Sequence, residues 1–157
     1  MKPYKKLSMT ILFAAALGCG IFALPNHAFA CFGSSCESLD PVVTGCDQDA
    51  TTLASKPLLD STPDGSRVVS VGGVVLFYSP ACHSKWAKIE SFAPGRNLAS
   101  VEISNSTTEL QSVGRMGRGA QTLYTKMTNG SLPVHACGDI FWLSLPQQSG
   151  SGCTANY

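Results

Sequence analysis

The chain has few ionic groups. Lys, Arg, Asp and Glu together make up 13% of it, 11 basic against 10 acidic residues, with three histidines. Such a balance argues against a general nucleic-acid or anionic-membrane binder, which needs basic excess or basic clustering. No G-x-S-x-G occurs, so the nucleophile elbow of the α/β-hydrolases is missing. No C-x-x-C doublet occurs either, which weakens any structural zinc reading. There is no internal repeat, no long low-complexity tract, and no apolar run of the ~20 residues that a spanning helix needs.

What is present begins with a targeting pattern. Lys2, Lys5 and Lys6 precede an apolar stretch over residues 9–24; Pro25-Asn26 breaks it, and Ala28-Phe29-Ala30 has the A-x-A form of a cleavage site. Residues 1–30 therefore read as a signal peptide, with cleavage before Cys31 and secretion as the expected localisation. A permanent anchor is the weaker reading by length. Lipidation of Cys31 is also the weaker one, because it would leave an odd number of thiols in an oxidising compartment. The remaining 127 residues (157 less 30) make one domain. Removing the three signal lysines leaves eight basic against ten acidic groups, a net charge of about −2.

Six cysteines follow the signal: Cys31, Cys36, Cys46, Cys82, Cys137 and Cys153. An even count in an exported chain reads as three disulfides and no metal. Six cysteines allow fifteen pairings; the preferred set is Cys31–Cys36, Cys46–Cys82 and Cys137–Cys153. Three of the six fall in the core-poor segment CFGSSCESLDPVVTGC, which needs bridges to hold it down. Within it Asp40-Pro41 has the form of a cap plus first helical position, so a single helical turn is expected before Gly45.

The centre of the chain is residues 73–89, GVVLFYSPACHSKWAKI. Residues 74–78 make a buried strand; Ser79 can cap a turn that Pro80 opens; Trp86 starts a second run whose alternation favours a strand over a helix. Residues 51–55 form a short strand candidate, and residues 56–66 a loop by their Pro, Asp, Gly and Ser content. Gly72-Gly73 suggests a two-residue hairpin turn, against the rival of one long bulged strand. Residues 93–97 read as a turn. A second hairpin turns at SNSTT, a third at Thr-Asn-Gly-Ser between residues 123–127 and 133–137; residues 114–119, GRMGRG, read as a loop, residues 140–145 as the last strand, and the stretch before Cys153 as a Gln/Ser/Gly loop. The class predicted is all-β: one small disulfide-stapled barrel or sandwich of six to eight short strands with one or two helical turns.

Two blocks carry a family resemblance. CFGSSCESLDPVVTGC resembles the C-x-G-x-x-C…D-P…G-C opening of the YjfA-like secreted bacterial proteins, and LFYSPACHSKWAKI resembles their L-x-Y-S-P-x-C-x-x-x-W-A-R/K-I block. Tyr124 to Met127, Ala136-Cys137-Gly138 and the closing Cys-Thr-x-x-Tyr add weaker matches. Phe77 stands where that family usually has arginine, and Asn156 where it often has tryptophan. The resemblance implies a secreted β-rich module and brings no catalytic residues, the family being a domain of unknown function.

Chemistry is sparse. Cys82-His83 with His135-Ala136-Cys137 could supply a Cys₂His₂ zinc site, but the spacing is loose and export favours bridges. Glu90 with Asp139 could form a carboxylate pair for glycoside hydrolysis, though nothing in the sequence brings them together. Trp86 and Phe77 are expected in the core; Tyr78, Tyr124, Phe141 and Trp142 could offer stacking surface. The preferred binding residues are Tyr78, His83, Lys85, Arg115 and Arg118, on two loops that would make an oxyanion-friendly surface if they share one end of the domain. The function expected is a non-enzymatic extracellular binding module, monomeric, with no cofactor and an envelope or extracellular ligand. A secreted hydrolase or toxin-like enzyme is the alternative. A histidine hydrogen-bonded to a carboxylate in a cleft would favour the alternative.

Overall fold

The computed structural model describes residues 31–61, 66–92, 97–105, 107–116, 121–142 and 149–157. The signal segment and Arg118 lie outside these residues. The described chain is almost wholly strand: β1 (Thr51–Ser61), β2 (Val68–Ser79), β3 (Ser84–Ser91), β4 (Asn97–Ser104), β5 (Glu109–Met116), β6 (Gln121–Tyr124), β7 (Thr128–Asn129), β8 (His135–Trp142) and β9 (Ser149–Cys153). The sheet order is β5-β4-β8-β9-β1-β2-β3-β6, with the two-residue β7 paired to β3. Every pairing between these strands is antiparallel. The edge strands β5 and β6 nearly meet: a Cβ on Gly114 would lie 3.4 Å from Leu123. The result is an almost closed eight-strand barrel, which leaves little unpaired edge to template aggregation.

Alternation fills the interior. Val74 and Leu76 of β2, Ala87 and Ile89 of β3, Ala99, Val101 and Ile103 of β4, and Ala136 and Ile140 of β8 are buried together. Neighbours one residue away point to the outer surface, as the two-residue period of a strand requires. No helix among the described residues is long and apolar enough to cross a membrane.

Several local expectations change. Gly72-Gly73 is no turn: β2 runs through it as one strand, and a bulge leaves Val71 without a register partner on β1. Gly72 faces inward, where a Cβ would come within 2.2 Å of the Glu90 carbonyl oxygen and 2.5 Å of Ile140. The glycine is there for close packing of the walls rather than for chain reversal. Residues 56–61 extend β1 instead of looping, because pairing with β2 continues to Ser61↔Val68. Residues 114–116 belong to β5, held by Gly114↔Ala99 and Met116↔Asn97. Of the stretch before Cys153, the described residues 149–152 belong to β9, which pairs with β8. The third hairpin does not form: β6 pairs with β3, β8 with β4 and β9. The expected turn at residues 93–97 and the end of the last strand at 143–145 fall largely outside the described residues.

The three bridges join Cys31 to Cys36, Cys46 to Cys82 and Cys137 to Cys153, the pairing preferred from the sequence. The last links register partners on β8 and β9. The other two build a knot from residues 31–50, with a 3₁₀ turn at Gly33–Cys36. Asp40 then caps a turn, its Oδ1 accepting the Val42 and Val43 amides at 3.0 and 3.3 Å while Thr44 N donates to Asp40 O at 3.1 Å. The knot lies on Trp86, which clusters with Cys36, Cys46, Cys82 and Met127. Trp86 is the register partner of Phe77 and stacks on it at 5.8 Å. Phe77 is only half-buried, so of the two expected core aromatics Trp86 alone is fully enclosed.

Loss of Cys46–Cys82 should cost more than loss of Cys31–Cys36. The first closes a loop of sequence separation 36 and the second one of 5, so chain entropy gives about 4 against about 2 kcal/mol. Urea unfolding of the two paired Cys→Ala variants measures this. Equal losses would mean that the knot is held by packing and that loop closure matters little.

Candidate functional site

A barrel has two ends. The turns after β2, β4 and β6–β7, the knot and the residues following β9 gather at one of them, which carries Ser79↔Ser84, Ser104↔Glu109, Ser104↔His135 and Cys137↔Cys153. Gly72↔Ser91, Asn97↔Met116 and Asn97↔Trp142 mark the other. The far-end connections, at 62–65, 93–96, 117–120 and 143–148, fall outside the described residues.

At the near end the β2–β3 turn forms as Ser79-Pro80 suggests. Cys82 N donates to Ser79 Oγ at 3.0 Å, and the hydroxyl is in turn held by Asp49 Oδ1. Asp49 Oδ2 also accepts from Ala81 N at 2.8 Å, fixing the knot to the turn. His83 takes a left-handed conformation, φ 49°. Its ring stacks on Phe32 at 5.3 Å and meets Tyr78 edge-on at 6.0 Å. Gly130 closes this turn from the other side: its N–H donates to His83 O at 2.9 Å, and a Cβ there would lie 2.7 Å from the His83 backbone and 2.8 Å from the Tyr78 ring.

Lys85 is not a loop cation. It lies on β3 with 8% of its surface exposed. Its Nζ donates to Leu132 O at 2.9 Å and to Tyr157 O at 2.8 Å. Burial pulls its pKa below the ordinary lysine value, while two main-chain oxygen acceptors favour the charged form. The ammonium fastens residues 132 and 157 across the barrel mouth. Those residues continue the ladder, with Val134 and Tyr157 exchanging N–H···O bonds at 3.0 and 2.9 Å.

Beside this clamp a recess of about 300 Å³ opens between three segments. Asn105 and Thr107 come from the β4–β5 turn, Leu132, Pro133 and His135 from the approach to β8, and Asn156 from the last residues. His135 is fixed on both ring nitrogens: Nε2 lies 3.2 Å from Ser104 Oγ and Nδ1 3.1 Å from Asn156 Oδ1. An amide oxygen can only accept, so Nδ1 donates to Asn156 Oδ1, while the Ser104 hydroxyl shares a hydrogen bond with Nε2. Asn105 Oδ1 is spent on the Thr107 and Thr108 amides, both at 2.7 Å, and on Thr107 Oγ1 at 3.0 Å. Its Nδ2 is buried and finds no partner among the described residues.

Among the described residues, the binding residues expected from the sequence do not gather at one end. Tyr78 and His83 stand at the near end. Arg115, exposed on β5 opposite Leu98, stands towards the far one, and Arg118 is outside the described residues. The zinc constellation is not assembled, since Cys82 and Cys137 are both bridged and to different partners. The carboxylate pair is not assembled either. Glu90 pairs with Lys88 on β3, whereas Asp139 lies on β8, with three strands between them in the sheet order. Trp86 is buried, Phe141 is 43% exposed, and the Trp142 side chain is outside the described residues. Ser104, Asn105, Thr107 and Asn156 carried no sequence signal for this role. Ser104 and His135 are 31 residues apart and meet only through the β4–β8 register.

Charge at the ladder gives a pH test. Burial, and then repulsion from Glu102, push the Asp139 carboxyl above its ordinary value of 3.8. A raised folded-state pKa means that its contribution to stability is full below the unfolded value and is lost as pH rises through the folded one. Asp139→Asn should therefore stabilise the protein at neutral pH by about 0.2–1 kcal/mol, the range of cross-strand charge pairs. That gain should vanish below the unfolded value of 3.8. Denaturation of both proteins at the two pH values checks it; a loss of stability at neutral pH would contradict the repulsion. Asp40 is the opposite case. Burial raises its pKa, but the Val43 and Val42 amides and the Lys126 ammonium outweigh this and hold it below the usual value.

No curated protein and no solved structure matches the chain. A family described as a protein of unknown function (DUF2690) matches residues 34–137, from the 3₁₀ turn of the knot to the first cysteine of the β8–β9 bridge. The chain belongs to the DUF2690 family.

Proposed function

We propose that the protein is a secreted bacterial binding module that takes an extracellular or envelope ligand at the near end of the barrel and does not turn it over. The observation that carries this reading is the recess around His135. Its walls are amide, hydroxyl, imidazole and apolar groups, with no carboxylate and no ammonium or guanidinium among them. A concave site with a few convergent polar groups is the usual form of a ligand pocket. Tyr78 and His83 belong to the proposed site as its aromatic border. Lys85 supports it from within, and Arg115 lies away from it. Three bridges support an oxidising compartment, and the resemblance to the YjfA-like secreted proteins agrees with export.

One contact favours the hydrolase alternative: Ser104, His135 and Asn156 form a serine–histidine–amide chain. Two features weigh against it. Asn156 brings no negative charge to stabilise an imidazolium, and an amide in place of the triad carboxylate lowers turnover about 10⁴-fold. Ser104 is also not among the residues lining the recess, so its hydroxyl is aimed at the ring and not at a bound molecule.

Two measurements test the proposal. Intact mass of exported material should show a chain beginning at Cys31 without a lipid increment. Pull-down against cell walls, culture polysaccharides and secreted proteins should capture a ligand whose affinity falls at least tenfold in Asn156→Ala at unchanged melting temperature. A reproducible hydrolytic activity lost in Ser104→Ala would replace the binding reading with the enzymatic one.

A further inference from the structure

We infer that the ligand is a neutral glycan, with one sugar ring in the recess and neighbouring rings running along the Phe32–His83–Tyr78 row. The inference rests on the binding reading above and adds the chemical class of the ligand. Its first support is the absence of ionic groups from the six lining residues. An anion taken out of water there would meet no counter-charge. The basic residues of the near end are already engaged: Lys85 by two main-chain oxygens, Lys126 by Asp40 at 3.2 Å. Its second support is the pair of exposed polar side chains on the recess, Thr107 and Asn156; a hydroxyl and an amide are the groups with which sugar hydroxyls exchange hydrogen bonds. The ring also needs an apolar surface for its C–H face, and Leu132 and Pro133 supply one.

Size and surroundings then separate a polymer from a small metabolite. About 300 Å³ is the lower limit of small-molecule sites, enough for one ring and not for a chain. Gly130 packs on Tyr78 and His83, and Leu132, two residues on, lines the recess. The segment that forms one wall of the recess thus also carries the residue that packs on the aromatic row, and Phe32 in that row is 63% exposed. Amphipathic rings of this kind suit a surface that is apolar yet wet. A rigid border on a site for one ring fits a polymer crossing the surface.

The probes are a soluble neutral glucan, an N-acetylglucosamine oligomer and, as the anionic control, polyglutamate, each titrated calorimetrically into the protein beginning at Cys31. The expected result is binding of at least one neutral probe, little changed between low and high salt. Asn156→Ala and Phe32→Ala, both at exposed positions, should each weaken it by tenfold or more without moving the melting temperature. Binding of polyglutamate alone, with affinity falling steeply as salt rises, would overturn the neutral-glycan assignment. So would glycan binding indifferent to both substitutions. A protein ligand whose capture depends on Asn156, with no glycan bound, would overturn this inference and leave the binding module standing. A turnover activity dependent on Ser104 would remove both.

Discussion

Everything at the near end depends on how Trp86 is covered. The residue sits on β3 in register with Phe77, on the face of the strand opposite the barrel core. A tryptophan left there would expose a large apolar surface. The knot of residues 31–50 encloses it instead, leaving 1% of its surface exposed. That segment has too few core-formers to stay folded by packing, so the Cys46–Cys82 bridge and the Asp49 contacts to Ser79 and Ala81 hold it in place. With the knot fixed, Phe32 is carried onto His83 and the β2–β3 turn is locked. The aromatic row is a consequence of covering Trp86.

A second constraint acts on the other side of the same strand. Lys85 points inward one residue before Trp86, into a barrel mouth where an ion without partners would be costly. Two main-chain oxygens, of Leu132 and Tyr157, receive its ammonium. The price of that burial is met by ordering the two segments that form half of the recess. Adjacent residues on β3 thus organise the knot outside and the mouth inside. His135 is fixed in turn by partners that these segments and the β4–β8 register deliver, Asn156 and Ser104. The site is rigid for reasons of packing and hydrogen bonding that precede any ligand, the condition under which little ordering entropy is lost on binding.

Much of the scaffold was legible in the sequence because its signals are local. Alternation in residues 86–91 and 101–103 reads as strand, Ser79-Pro80 as a capped turn and Asp40-Pro41 as a second one, and each of these forms. What failed was information held by the partner strand. Gly72-Gly73 looks like a turn until Glu90 and Ile140 are seen to need the space of a side chain. Residues 56–61 look like a loop until the β1–β2 ladder is seen to continue through Pro57 to Ser61. Lys85 looks like a surface cation because a basic residue beside a turn ordinarily is one; its main-chain oxygen acceptors lie 47 and 72 residues away. The recess was invisible for the same reason, since its walls come from three segments joined only by register. A histidine–carboxylate pair would have been the sequence reader's sign of catalysis, and the histidine in the recess has hydroxyl and amide partners instead.

The central claim is that the near end of the barrel is where this protein meets its ligand. Backbone amide NMR of the protein, before and after addition of the material it captures, tests that claim most directly. The account predicts that the shifted amides cluster at residues 32, 83, 105, 107, 131, 132, 134, 135 and 154–157, with the strands towards Arg115 unmoved. Shifts concentrated around Leu98 and Arg115, with the near end silent, would contradict it.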